Sequence, residues 1–87
     1  MIWRPRARGQ AREIIDYIAD RNPAAAERLA TIFENVVERL PDAPYVHRPG
    51  RVPGTREAVV HPNYIIVYRV AEVIEVIAVL HARQQYP

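Results

Sequence analysis

The sequence predicts an α+β fold: a short N-terminal strand, then an antiparallel two-helix hairpin packed on one face of an antiparallel β-meander. Three observations carry this. Apolar residues recur at helical spacing in two segments of the first half. A stretch dense in proline and glycine closes that half. The second half holds three runs of β-branched and aromatic residues separated by short turns. At 87 residues the chain is expected to form a single domain spanning 1–87, and a domain of this size buries only about 60–65% of its unfolded surface, so its core is modest.

Ile2 and Trp3 are expected to form the first strand. A first helix over residues 7–20 would bury Ala11, Ile14, Ile15 and Ile18 and turn Arg12, Glu13, Asp16 and Asp20 outward. Asn22 is placed to cap a second helix, because its side-chain oxygen can accept from a free first-turn amide. Pro23 at the first helical position loses no hydrogen bond there. Leu29, Phe33, Val36 and Leu40 form the expected buried stripe, with Ile32 and Val37 at its edges, until Pro41 stops the helix.

Residues 41–54 contain Pro41, Pro44, Pro49 and Pro53 with Gly50 and Gly54, which exclude helix and interior strand. A stiff exposed loop carrying His47, Arg48 and Arg51 is expected. Strands follow at residues 55–60, 64–70 and 73–81, joined by turns at 61–63 and 71–72. Strict alternation would put Tyr64, Ile66, Tyr68, Val70, Ile74, Val76, Ala78 and Leu80 against the helices. The other face would then show Arg56, Ala58, Val60, Ile65, Val67, Arg69, Glu75, Ile77, Val79 and His81. Two helices cover one face of a sheet, so Ile65, Val67, Ile77 and Val79 are expected as an exposed apolar strip, a pattern that marks binding surfaces. Pairing of Arg69 with Glu75 across strands, with the rest as tolerated surface, is the structural alternative.

Net charge is only +2, yet all twelve basic residues are arginine and they cluster: Arg4, Arg6, Arg8 and Arg12 stand without an acid in the first twelve positions. Arg48, Arg51 and Arg56 flank the central loop. Arginine forks suit phosphates and carboxylates, although exposed arginine is commonly just a solvated face. Cysteine is absent, which rules out disulfides and thiolate metal sites and fits a reducing compartment. The apolar run at residues 76–80 is too short to span a bilayer, and Met1 leads into an arginine-rich segment without a signal core. A soluble cytoplasmic protein is the simplest expectation.

For chemistry, Arg56, His81, Arg83 and Tyr86 remain as candidates. His81 with Arg83 and Tyr86 equally suits a strand end that bonds its own backbone and solvent. His47 and His61 lie in proline-bearing loops, and no histidine pair stands at ligand spacing, so neither metal nor cofactor is expected. Glycine-rich phosphate loops are missing, and the chain contains no serine.

GRVPGTRE at residues 50–57, NYIIVYRV at 63–70 and LHARQQYP at 80–87, in that order, resemble the RelE/ParE toxins of bacterial type II toxin–antitoxin pairs. REIIDYIADRNPAAAERL at 12–29 and VERLPDAP at 37–44 extend the likeness over essentially the whole chain. The RelE-like messenger RNA nucleases resemble GYRLVY on the middle strand. This chain reads NYIIVY, so the nuclease arginine falls on Ile65, and Ala58 falls on a second basic position. Cleavage by a 2′-hydroxyl needs a proton acceptor and a cation for the phosphorane charge, and isoleucine supplies neither.

The resemblance is therefore closest to the ParE branch, which implies a non-enzymatic poison of DNA gyrase associated with plasmid stabilisation. It also implies a hetero-oligomer with a cognate antitoxin whose flexible tail wraps the toxin, DNA being contacted only through that antitoxin. Expected antitoxin contacts are Ile65, Val67, Ile77 and Val79, with antitoxin acids meeting Arg51, Arg56 or Arg69. Expected target contacts are Arg48 and Arg51 on the loop and Arg83 and Tyr86 at the C-terminus. The alternatives are a ribosome-dependent messenger RNA interferase using Arg56, His81, Arg83 and Tyr86, and a non-toxic homologue that only binds antitoxin.

Overall fold

The computed structural model describes residues 1–84. Strand β1 (Ile2–Trp3) leads into helix α1 (Pro5–Ala19) and helix α2 (Pro23–Arg39). A two-residue strand β2 (Arg48–Pro49) precedes the meander β3 (Thr55–His61), β4 (Tyr64–Val70) and β5 (Ile74–His81). The sheet order is β1-β5-β4-β3-β2, with β1 parallel to β5 and all other pairs antiparallel. Among the described residues no helix is long and apolar enough to cross a membrane.

Helix α1 begins two residues earlier than periodicity suggested, because Pro5 occupies the first turn, where its missing N–H is no loss. Ala7 is its only fully buried residue; Ala11, Ile14, Ile15 and Ile18 pack half-buried against the core. Asn22 caps α2 as expected, its Oδ1 accepting from the Ala25 N–H at 3.1 Å. The buried line of α2 runs through Ala26, Leu29, Phe33 and Val37 to Leu40. Val37 rather than Val36 faces the sheet, since the line follows the i+4 row from Leu29 and Phe33.

The proline-rich segment holds β2 only because it is a sheet edge, where Pro49 needs no ladder donor. Gly50 comes so close to β3 that a Cβ there would collide with Thr55. Gly54 takes the left-handed φ of +85° that starts the strand.

Two bulges overturn the strict alternation of the meander. In the β3–β4 hairpin, His61 pairs with Tyr64, but the register shifts between Val59 and His61, so that Val59 faces Ile65, Glu57 faces Val67 and Arg56 faces Tyr68. Arg56, Ala58 and Val60 therefore lie on the helix side, not the outer side. In the β4–β5 pair, Tyr68 faces Val76 while Val67 faces Ala78, leaving Ile77 as the extra residue. Beyond it every side chain changes face. Val79 joins the main core, and Ala78 and Leu80 turn outward.

The main core combines Leu29, Phe33, Val37 and Leu40 of the second helical segment with Ala58, Ile66, Tyr68, Val76 and Val79 of the sheet. The outer face carries a small cluster of its own, made of Ile65, Val67, Ala78 and Leu80 with Ile77 and Ala82 packed beside it. The expected exposed strip does not exist: Ile65 is 3% exposed, Val67 0% and Val79 2%, and only Ile77 is half-buried. Arg69 stands opposite Glu75 as expected, but the carboxylate of Glu75 binds Arg4 at 2.9 Å.

These phases set a test by substitution. Val79→Ala removes methyl groups from the core and is expected to cost about 2 kcal/mol in urea denaturation, whereas Val59→Ala on the surface should stay within about 0.5 kcal/mol. Equal costs would contradict the bulge at Ile77.

Candidate functional site

Neighbouring residues of β3 hold the proline-rich loop from opposite faces of the sheet. On the helix side, the Arg56 guanidinium donates from Nη1 to the carbonyls of His47 at 2.7 Å and Tyr45 at 3.3 Å, and lies 4.8 Å from the centre of the Tyr45 ring. The buried Tyr68 hydroxyl donates to the Pro44 carbonyl, and the His47 ring meets Tyr68 edge-on at 6.0 Å. On the outer side, the buried Glu57 carboxylate accepts from Arg48 Nε and Nη2 at 3.1 and 2.9 Å and from the Arg51 backbone N–H at 3.2 Å. Arg51 Nε stands 3.5 Å from the same carboxylate.

The central arginines are thus engaged inside the chain. Arg48 and Arg51 are bound to Glu57, and Arg51 Nη1 also reaches the Gln84 carbonyl at 3.3 Å. Such pairing reduces what these forks can offer a phosphate. Arg69 and Arg83 are exposed. Tyr86 lies outside the described residues.

Among the described nuclease candidates, Arg83 adjoins His81, but Arg56 lies apart from both. Arg56 sits opposite Tyr68 and His81 opposite Tyr64, four positions apart on β4. That is roughly 13 Å along the strand, with about 9 Å more across the sheet between β3 and β5. His81 Nδ1 accepts from the Arg83 backbone N–H at 3.2 Å, and His61 Nδ1 accepts from the Asn63 N–H at 3.0 Å. Both rings pack against Tyr64, with centroids 5.5 and 5.6 Å away. Each histidine closes a turn at the end of the sheet. Ile65 belongs to the outer cluster and Ala58 to the main core. Among the described residues no group of three His, Asp or Glu side chains could hold a metal.

Two features were not anticipated from the sequence. The first is a groove lined by Trp3, Ala11, Ile15 and Phe33 together with two arginines, Arg8 and Arg12, and two acids, Asp16 and Glu34. The clustering of N-terminal arginines was the only signal for it. The second is the tip of the pinned loop, where Tyr45 is 64% and Val46 72% exposed. Nothing in a proline-rich stretch shows which of its side chains will point outward.

The site is thus a small α+β scaffold whose β3 polar groups hold an exposed loop, with the described cleavage candidates divided between Arg56 and the His81–Arg83 turn. Residues 1–86 match the family model described as ParE toxin of the type II toxin–antitoxin system, parDE. The chain belongs to this family and is a type II toxin, so a cognate antitoxin is its partner. It is 40% identical to Y4kP of Sinorhizobium fredii over 98% of this chain and 90% of that protein. It is also 34% identical to Toxin RelE2 of Caulobacter vibrioides, over 94% and 93% of the two chains. In fold it matches a structure titled chromosomal ParDE TA system from P. aeruginosa, with a TM-score of 0.81, 20% identity and coverage of 91% and 90%.

Tyr68 provides a test of the loop anchorage. Burial pushes its phenol above the ordinary 10.0, and the neighbouring Arg56 pulls it partly back. Tyr68→Phe removes the donor to Pro44 and is expected to cost about 1 kcal/mol near neutral pH. Below pH 10.0 the phenol is neutral in both folded and unfolded chains, and its contribution is fully present. As pH rises further the unfolded chain ionises first, and the contribution is lost through the higher folded pKa. Urea melts of the wild type should therefore weaken more steeply above pH 10.0 than those of Tyr68→Phe; parallel slopes would contradict the burial of this hydroxyl.

Proposed function

We propose that this chain acts in the cytoplasm as a ParE-like poison of DNA gyrase, working by occupancy and neutralised by its antitoxin. The observation that carries this is the engagement of Arg56: its fork is committed to two loop carbonyls, roughly a sheet's width from His81. A cleavage mechanism needs a cation and a proton carrier at one phosphate. These two residues serve structural bonds instead.

The antitoxin reading follows accessibility. Ile65, Val67 and Val79 are buried, so a tail could reach them only if the surface over them opened, while Ile77 and Arg69 are accessible at the margin. The groove of Trp3, Ile15 and Phe33, whose lining sets Arg8 and Arg12 beside Asp16 and Glu34, suits an amphipathic segment of mixed charge better. Apolar side chains would fill it, with carboxylates meeting Arg8 and Arg12 and basic groups meeting Asp16 and Glu34. Complex formation would make a hetero-oligomer, with any DNA contact supplied by the antitoxin. Arg83, exposed after β5, remains a candidate target contact, together with Tyr86 and the outward part of Arg48.

Purified toxin is expected to block supercoiling by gyrase and to trap a cleavage complex at micromolar concentration. Arg83→Ala should weaken that inhibition, and messenger RNA in translating extracts should stay intact. Codon-positioned cuts without any effect on gyrase would reject this reading in favour of an interferase. No effect on either, beside an active control toxin, would point to a homologue that only binds antitoxin.

A further inference from the structure

Val46 and Tyr45 are the two most exposed large apolar side chains among the described residues, and they are adjacent. Apolar residues at a loop tip are ordinarily carried on mobile backbone. Here the backbone is held at three carbonyls on either side of Val46: Pro44 by Tyr68, and Tyr45 and His47 by Arg56. Arg48 is then drawn to Glu57 on the far side of the sheet. A buried phenol, a half-buried guanidinium and a buried carboxylate are all aimed at a loop that contributes little to the core. The apolar surface continues past Pro44 into a shallow cavity lined by Met1, Pro41, Val70 and Val73.

From this we infer that the 44–48 loop is the preformed anchor with which the toxin grips its protein target, Tyr45 and Val46 entering an apolar pocket on that target. The inference rests on the occupancy reading above and adds the contact element to it. Nucleic acid is the poorer partner, because the loop arginine Arg48 is paired with Glu57 and the Tyr45 ring already has the Arg56 guanidinium beside it. The antitoxin tail is also the poorer partner. Two adjacent exposed side chains on a loop held at three carbonyls keep a fixed shape, which suits a pocket already formed on a folded protein better than an extended tail that orders as it binds. Holding the tip in its bound shape lowers the ordering cost of association, and tyrosine is a frequent hot-spot residue.

The test uses Tyr45→Ala, Val46→Asp and the double variant in the full chain, each checked for native circular dichroism, with Val46→Ser as the milder substitute should Val46→Asp fold poorly. Growth arrest on induction and affinity for the cognate antitoxin are measured at matched protein level. The double variant is expected to need about tenfold more toxin for the same arrest, while antitoxin affinity stays within about twofold. Arrest at the wild-type level overturns the inference. So does an equal loss of antitoxin affinity, which would make the loop an antitoxin contact, and so does a wild-type chain that arrests nothing. A parallel supercoiling assay keeps the two readings apart: wild-type arrest without gyrase inhibition rejects gyrase alone and leaves the loop to the growth assay.

Discussion

The central constraint in this molecule is the phase of β3, which sends Arg56 to the helix side of the sheet and Glu57 to the outer side. One loop is held by both. Arg56 takes its carbonyls at Tyr45 and His47, and Glu57 takes its arginines at 48 and 51, so the chain is drawn around the sheet edge through the two residues of β2. A slip of one residue would exchange the two faces and put a carboxylate where carbonyl oxygens wait. The register shift between Val59 and His61 sets this phase relative to β4.

The same bulge explains which parts of the fold were legible in the sequence. Helix α2 announces itself through Asn22 and Pro23, and its end through Pro41, because capping and the loss of an N–H are local chemistry. The span of β4 is equally plain from its β-branched and aromatic run. Strand phase is another matter. Runs such as Ala58-Val59-Val60 and Val76 to Leu80 are apolar on both sides, so alternation offers no contrast from which to choose a face. The register shifts near Val60 and at Ile77 depend on how whole strands pack, and no residue type marks them. Both errors in the expected faces, for Arg56 and for Val79, trace to these two residues of excess chain.

The site was legible as residue types and not as availability. Arginines around the loop were visible, but their partners were not, since Arg48 and Glu57 are nine positions apart and meet only through β2. Arg48, Arg51 and Arg56 are bound within the chain, where they support the loop. A small domain gains twice from this. The bonds tie an irregular segment to a modest core, and they fix the shape of the most prominent apolar surface. The ion pairs of Arg48 and Arg51 are partly open to water, so their value lies more in geometry than in stability.

Backbone amide order parameters of the free toxin test the central claim most directly. If Arg56, Tyr68 and Glu57 hold the loop in one shape, the amides of residues 45–48, 50 and 51 should show values of about 0.85, close to those of β3 and β4. Values below about 0.6 across that segment, with the strands themselves rigid, would mean that the loop is not held and that its exposed tip is not a preformed anchor.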